Sequence, residues 1–377
     1  MSEQDQSLEI RIRLDGAHVA KVEVHSRRPL EYAQILMGRS PEEAIRLIEK
    51  FFPLTRAAHL HAAVQALEEA SGIHAPAHHA KARTLLVHLE NIAEPAERLS
   101  QDWAQTLGRS LPEGDWQRLK EQARKALYPT GEPFSLTLRH VQPEPEAFAR
   151  IVQAAELGLT DLLGLDPSTW ASQTPEVLAV WLEDSKSLAA QYFRWLGQLP
   201  DLVEVPIEPL EWHSTQNWNQ FFTDLLAAEL IYLPEWAGQC RQTGAYARQA
   251  RSLMLKDFKS TNPLKRHCLA QLLDLCFQFR ALKKGLEIPV TSPGSPKHAG
   301  LGLAQTEGSR GRIVHRIELE RGLVKRYQIQ APTEWNFHPQ GLYASTLRGA
   351  PAEKIAVLAQ HWAKLVDPFV LPKFQIR

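Results

Sequence analysis

Cysteine is scarce in this chain: Cys240, Cys268 and Cys276 are the only three in 377 residues. No C-x-x-C occurs, which excludes a zinc ribbon and a thioredoxin-type redox motif, and three thiols make no disulfide framework. A reducing, cytoplasmic setting is the expectation. Charge excess is also missing. Lys+Arg and Asp+Glu balance at 43 each, so there is no electrostatic footprint for nucleic acid. No stretch approaches the roughly 18 apolar residues that span a bilayer, so membrane insertion is not expected. Met1 to Gln6 is polar and acidic, and Arg27-Arg28 runs into Glu31 rather than an apolar segment. Neither reads as an export signal. Glycine-rich phosphate loops, H-E-x-x-H and a nucleophile-elbow serine are absent, which removes the commonest nucleotide, zinc-protease and hydrolase chemistries.

What is present is an ordinary soluble composition, 44% hydrophobic, enough to bury a core. Leu8, Ile10, Ile12 and Leu14 alternate with charged residues; Asp15-Gly16 makes a turn, and Ala20, Val22 and Val24 supply a return strand. Ser40-Pro41-Glu42-Glu43 is a helix start with a capping box. A second helix begins near Pro53, with Ala57, Leu60, Val64 and Leu67 as its apolar stripe and Gly72 at its end. Helical patterns follow over Arg83 to Leu107, Pro145 to Leu163, Pro175 to Leu196 and Pro263 to Lys284. The Pro/Gly/Ser-rich stretch from Pro289 to Gly302 is a breaker. Ile313, His315, Ile317 and Leu319 alternate as a strand, Arg321-Gly322 turns, and Leu323, Lys325, Tyr327 and Ile329 return. A last helix spans about Pro351 to Val366. The fold class is α+β, mostly α: a helical bundle flanked by small β-sheets from both chain ends. One domain over 1–377 is expected, with an N-terminal hairpin and helices (1–52), a helical core (53–285), and a C-terminal β-hairpin and closing helix (286–377).

The remaining constellations have plain readings. His74, His78 and His79 sit in a polar connection and read as a solvated loop, with no spacing that closes a tetrahedral metal site. Cys268 and Cys276 lie eight residues apart on one helix and read as core. The tryptophans of the helical middle, such as Trp181 and Trp218, read mostly as core packing. The basic strip from Arg310 to Arg326 is interrupted by Glu318 and Glu320 and reads as a solvated strand face.

Both ends of the chain carry ordered local motifs. Ile35-Leu36-Met37-Gly38-Arg39-Ser40-Pro41 is followed, twenty residues after Arg39, by His59. Downstream come Glu307-Gly308-Ser309-Arg310-Gly311-Arg312-Ile313-Val314-His315, then Ala331-Pro332-Thr333-Glu334-Trp335-Asn336 with Pro339, and Asp367-Pro368. This ordered set resembles the nickel–iron hydrogenase large subunit, whose corresponding patterns are L-x-G-R-x-P, R-x-C-G-x-C-x-x-x-H, E-A-P-R-G-x-L-x-H, P-T-T-W-N-x-x-P and D-P-C-x-x-C-x-x-H. The resemblance implies that family's fold. The middle of the chain, about 90–285, shows no matching motif.

The departures are concentrated at the metal. The four cysteine positions of the family fall on Phe52, Thr55, Phe369 and Pro372. Phenylalanine and proline have no donor atom, and a threonine hydroxyl is a poor ligand for nickel. The family's proton-relay glutamate corresponds to Ala33, and its last histidine to Gln375. The chain stops two residues after Gln375, so no tail for a maturation protease is expected. No resident metal, no cofactor and no catalytic residue are therefore expected. The pocket rim persists: by the resemblance Arg310, Pro332, Thr333 and His59 correspond to residues around the iron's cyanide ligands or near the metal. The alternative readings are that Arg310 pairs with Glu307 or another carboxylate and holds the loop, and that His59 is a plain helix-boundary residue. Altered cysteine motifs and length are similar to the HupK/HoxV type of hydrogenase accessory protein. That resemblance implies a non-catalytic role in uptake-hydrogenase maturation, with hydrogenase maturation proteins or hydrogenase subunits as partners. The protein would be a scaffold, or a transient holder of the iron–cyanide–carbonyl unit, or a structural mimic of the large subunit that binds its partners without metal.

Overall fold

The computed structural model of the chain describes residues 8–26, 32–111, 114–137, 142–211, 215–225, 233–285, 300–370 and 372–377. Met1 to Gln6, Arg27-Arg28 and most of the breaker from Pro289 lie outside them. The chain opens with the hairpin β1 (Leu8–Asp15) and β2 (His18–Ser26), turning at Gly16, whose φ is +57°. Leu8, Ile10 and Ile12 are buried as the alternation requires. The return strand differs from expectation. A bulge between Arg13 and Leu14 shifts the register, so Val19 is buried and Ala20 is exposed; an extra residue in one strand flips which side chains face inward.

After α1 (Tyr32–Ile35) comes α2 (Pro41–Phe51). Its capping box is formed: Glu43 N–H donates to Ser40 Oγ at 3.3 Å, and Ser40 N–H donates to Glu43 Oε2 at 3.0 Å. α3 spans Arg56–Ser71 and ends at left-handed Gly72. It starts three residues later than Pro53 and is buried on almost every side rather than along one stripe. Six alanines (Ala57, Ala58, Ala62, Ala63, Ala66, Ala70) are among its buried residues. Small side chains let neighbours crowd it from all directions.

The helical body follows as α4 (Ala77–Leu107), α5 (Trp116–Leu127), α6 (Pro145–Leu163), α7 (Pro167–Ala171), α8 (Pro175–Asp184) and α9 (Leu188–Leu196). Pro175 to Leu196 is thus two helices. Ser187 caps the second by accepting from Ala190 N–H. α4 begins earlier than Arg83, so His78 and His79 are helical. His79 is buried against Tyr128, which corrects the solvated-loop expectation for it; His74 and His78 are exposed. The short α10 (Thr215–Leu225), α11 (Ala245–Gln249) and α12 (Leu253–Asp257) lead to α13 (Pro263–Gly285). α13 packs on α4 and buries Cys268 and Cys276.

The C-terminal part holds β3 (Leu301–Gly308), β4 (Gly311–Glu320) and β5 (Leu323–Gln330), an antiparallel sheet in the order β3-β4-β5. β3 was hidden by the expected breaker, which ends inside it. It lies flat on α3. A Cβ on Gly302 would stand 1.8 Å from the carbonyl oxygen of Ala66, so only glycine permits this approach. β4 is buried on both faces. Arg312 and Arg316 are therefore interior, not a solvated strand face, and are satisfied by Gln305 with the Glu211 carbonyl and by Asn219 with Gln328. Then come α14 (Pro332–Asn336), α15 (Leu342–Leu347), α16 (Ile355–Val366) and β6 (Lys373–Ile376). β6 runs parallel to β1, giving a second sheet β2-β1-β6. One hydrophobic cluster extends from Leu8 to Val366. The α+β, mostly helical architecture with small sheets at both ends is as the sequence reads.

Candidate functional site

Three segments far apart in sequence meet at the start of α3. The first is the stretch from Phe52 to Thr55 that joins α2 to α3; at the opposite end of α2 the Gly38-Arg39 turn is held on β5. Gly38 has φ +74°, and the Gly38 N–H donates to the Val324 carbonyl at 2.8 Å while the Val324 N–H returns to Arg39 at 2.9 Å. The second is the β3–β4 turn bearing Arg310. The third is the C-terminal stretch Asp367 to Phe369. Between them lies a cavity of about 10 Å³ lined by Thr55, His59, Arg310, Ile313, Ala331, Pro332, Thr333 and Phe369. The structure thus brings His59, Arg310, Pro332 and Thr333 together, with Thr55 and Phe369 beside them. Such a space is at most about one water in size.

The His59 and Phe369 rings form part of its wall, and Phe52 packs against both. Phe52 stacks on the His59 imidazole with centroids 3.7 Å apart and planes 10° from parallel. Phe369 meets Phe52 edge-on at 6.5 Å. Phe52 is buried at 2% exposure. Pro372 stands off the cavity, half-buried just before β6. The nickel–iron centre does not fit these residues: the four positions offer no thiolate, and rings fill the space around it.

The rim is a polar network held from behind. His59 Nδ1 lies 3.0 Å from His315 Nε2, and His315 Nδ1 lies 2.8 Å from the Tyr327 hydroxyl. Burial pushes the His315 pKa down to about 3 and the Tyr327 hydroxyl well up, so His315 is neutral and Tyr327 keeps its proton. One consistent assignment has Tyr327 donating to His315 and the His315 Nε2–H donating to His59. Thr333 Oγ1, in the first turn of α14, accepts the Phe369 N–H at 3.2 Å.

Arg310 pairs with Asp367 rather than with Glu307. Its Nε is 3.3 Å from Asp367 Oδ1, and the other oxygen of Asp367 is 3.1 Å from Arg98 Nη2. Glu307 is taken by Arg312 and Arg248. The Arg310 contact is close but misaligned: Nε and Nη1 have no hydrogen-bond partner among the described residues. Charge is neutralised there while two buried donors stay unsatisfied.

Sequence reasoning missed Glu90. From α4 its carboxylate accepts the N–H groups of Ala57 at 2.7 Å and Ala58 at 2.9 Å, and so caps α3 where Thr55 does not. Burial pushes its carboxyl up to about 7, against the pull of those two amides. A glutamate 33 residues downstream of the N–H it caps leaves no local sign. A wider cavity of about 530 Å³ opens beside Glu90 and Arg56, away from the Phe52–His59 stack.

Comparison with known proteins accords with this geometry. The chain is 28% identical over 373 residues to the hydrogenase expression/formation protein HupK of Azotobacter vinelandii, covering 96% of each chain. It is 27% identical over 384 residues to HupK of Rhizobium leguminosarum bv. viciae, covering 98% of this chain and 96% of that one. The chain is a homologue of the HupK/HoxV-type hydrogenase expression/formation proteins. The HoxV relative, from Cupriavidus necator, is 25% identical over 338 residues, with 86% of this chain and 84% of that protein covered. The fold is that of the nickel–iron hydrogenase large subunit. The reduced Ni-Fe-Se hydrogenase of D. vulgaris Hildenborough superposes with a TM-score of 0.65 at 15% identity, covering 94% of each chain. An NAD+-reducing [NiFe]-hydrogenase gives 0.59 at 13% identity, covering 93% of this chain and 92% of that one. No protein-family model matches the chain. Among the described residues no helix is long and apolar enough to cross a membrane.

Proposed function

We propose that this protein is a non-catalytic accessory factor in nickel–iron hydrogenase formation, acting as a cytoplasmic scaffold built on the large-subunit fold. The observation that carries the reading is the plugged pocket. Phe52, stacked on His59 and backed by Phe369, stands where the resemblance puts metal thiolates. A chain keeping this architecture with a solid pocket can present large-subunit-like surfaces to assembly partners but holds no donors for hydrogen chemistry. The names of its relatives support the process. Its partners are maturation proteins or hydrogenase subunits, and it carries no cofactor in this pocket.

A second reading is kept by one observation. Arg310 is buried at 8% exposure with two unsatisfied donors, and a guanidinium suits an anionic ligand such as iron-bound cyanide. Transient carriage of the iron–cyanide–carbonyl unit would require the Phe52 and Phe369 rings to move aside. Purification of the full chain from hydrogenase-producing cells separates the two. The scaffold reading expects hydrogenase subunits or maturation proteins at fixed stoichiometry and no cyanide or carbonyl infrared bands. Bands on the purified protein would replace it with the carrier reading. Hydrogenase activity unaffected by deletion of the protein would overturn both.

A further inference from the structure

One thiol lies outside the hydrophobic core: Cys240 is half-buried, whereas Cys268 and Cys276 are buried. Its neighbours are set by a tight turn. Trp236 and Gln239 exchange both backbone hydrogen bonds, at 2.9 and 3.2 Å. Ala237 and Gly238 between them have φ of +52° and +71°, the pair of positive values that a two-residue hairpin turn requires. The next cross-strand pair outward is Glu235 and Cys240, which the turn sets side by side. His338 arrives from a different element, two residues beyond α14. Cys240 Sγ lies 3.1 Å from His338 Nδ1, and one donor atom from each of Glu235, Cys240 and His338 falls within 4.8 Å of the other two.

We propose that Glu235, Cys240 and His338 bind one zinc ion, with its fourth position open to solvent. Thiolate, imidazole and carboxylate are a borderline-soft donor set that zinc takes, and three protein ligands plus an open position is the pattern of a reactive or exchangeable site. The Gln340 N–H donates to His338 Nδ1 at 3.1 Å. That bond leaves the imidazole proton on Nε2 and the lone pair on Nδ1, on the side of the thiol. The ion takes that lone pair over from the Gln340 amide. Bond lengths of about 2.3 Å to sulfur and 2.0 Å to nitrogen separate the two donors by roughly 3.6 Å in a tetrahedron. The Cys240–His338 contact therefore opens by only about half an ångström. Glu235 is exposed, so its carboxylate closes on the ion by side-chain rotation alone. On binding, the thiol gives its proton to solvent, and two anionic ligands neutralise the dication. The site shares no ligand with the plugged pocket, and the inference does not rest on the assembly reading.

The test uses the untagged full-length chain, stripped with chelator and titrated with zinc by calorimetry. Cobalt(II) substitution reports the thiolate through its charge-transfer absorption. One ion per chain is expected, with a thiolate-to-cobalt band. Loss of a mere outer-shell partner costs about 10- to 100-fold in metal affinity, so Cys240→Ser and His338→Ala should each weaken zinc at least tenfold. Cys240→Ser should also abolish the band, and the exposed His25→Ala should change neither. Circular dichroism of each variant checks that it folds. Wild-type protein without saturable zinc binding, or a stoichiometric site that survives Cys240→Ser, overturns the assignment.

Discussion

Replacing Phe52 tests the plugged pocket most directly. The ring is 2% exposed, lies 3.7 Å centroid to centroid over His59, and meets the edge of Phe369 at 6.5 Å. Truncating a fully packed phenylalanine to alanine costs about 3–5 kcal/mol, the lost transfer energy plus the cavity left behind. Of that, roughly 0.5–1.5 kcal/mol is specific to the aromatic contacts. Phe52→Leu keeps most of the volume and should cost about 1.5 kcal/mol or less. The assay is urea unfolding of both variants beside wild type. The midpoints should move and the slopes stay constant, because the surface exposed on unfolding is nearly unchanged. If Phe52→Ala cost under about 1 kcal/mol, a surface-like value, the ring would not be a packed plug. The pocket would then have room for a ligand, and the scaffold reading would lose its main support.

Three further perturbations probe the surroundings. Glu90 holds its proton up to about pH 7 when folded against an ordinary value of 4.5. Between those values the folded chain binds the extra proton, so this group makes stability fall as pH rises, by about 3 kcal/mol in all. Stability of the wild type relative to Glu90→Gln should drop between pH 4.5 and 7, and a pH-independent difference would refute the buried acid. Gly302→Ala would drive a Cβ to 1.8 Å from the Ala66 carbonyl; backbone on both sides cannot give way cheaply, so a loss of about 3 kcal/mol or more is expected in thermal unfolding. Arg310→Ala removes one of two guanidinium partners of Asp367. Arg98 stays, so the cost should fall below the roughly 3–5 kcal/mol of leaving a buried charge unpaired, at about 1–3 kcal/mol, and largely vanish in an Asp367→Asn background.

Local rules read most of the fold. The capping box at Ser40, the glycine stop at Gly72 and the long helices from Pro145 and Pro263 each follow from a few neighbouring residues. What failed depended on distant partners. β3 begins inside a glycine-containing stretch and is a strand because α3 presents alanines for it to lie on. β6 is four residues long and exists through β1, more than 350 residues earlier. The site divides in the same way. Its rim residues were visible because they sit in short ordered motifs. Glu90, and the link from Arg310 to Asp367 and Arg98, were not, since charge pairs across a fold carry no sequence spacing. The Phe52–His59 stack lay between: both residues were flagged, yet nothing in their spacing said that one would cover the other.

By the resemblance, thiolates from both chain ends would hold a metal that ties those ends together. Here that tie is made by other means. Phe369 reaches Phe52 edge-on, and its N–H is held by Thr333. Asp367, a residue with φ +58°, draws in Arg310 from the sheet and Arg98 from α4. Beyond it β6 pairs with β1, with the Arg377 and Ile12 backbones bonded at 2.9 Å. Aromatic contacts, one buried carboxylate between two arginines and four strand pairs replace coordinate bonds with many weak ones. None needs a loaded cofactor. These contacts join the two chain ends through the chain's own side chains and strands, and on the proposed assembly role they would let the protein meet its partners without first loading a metal.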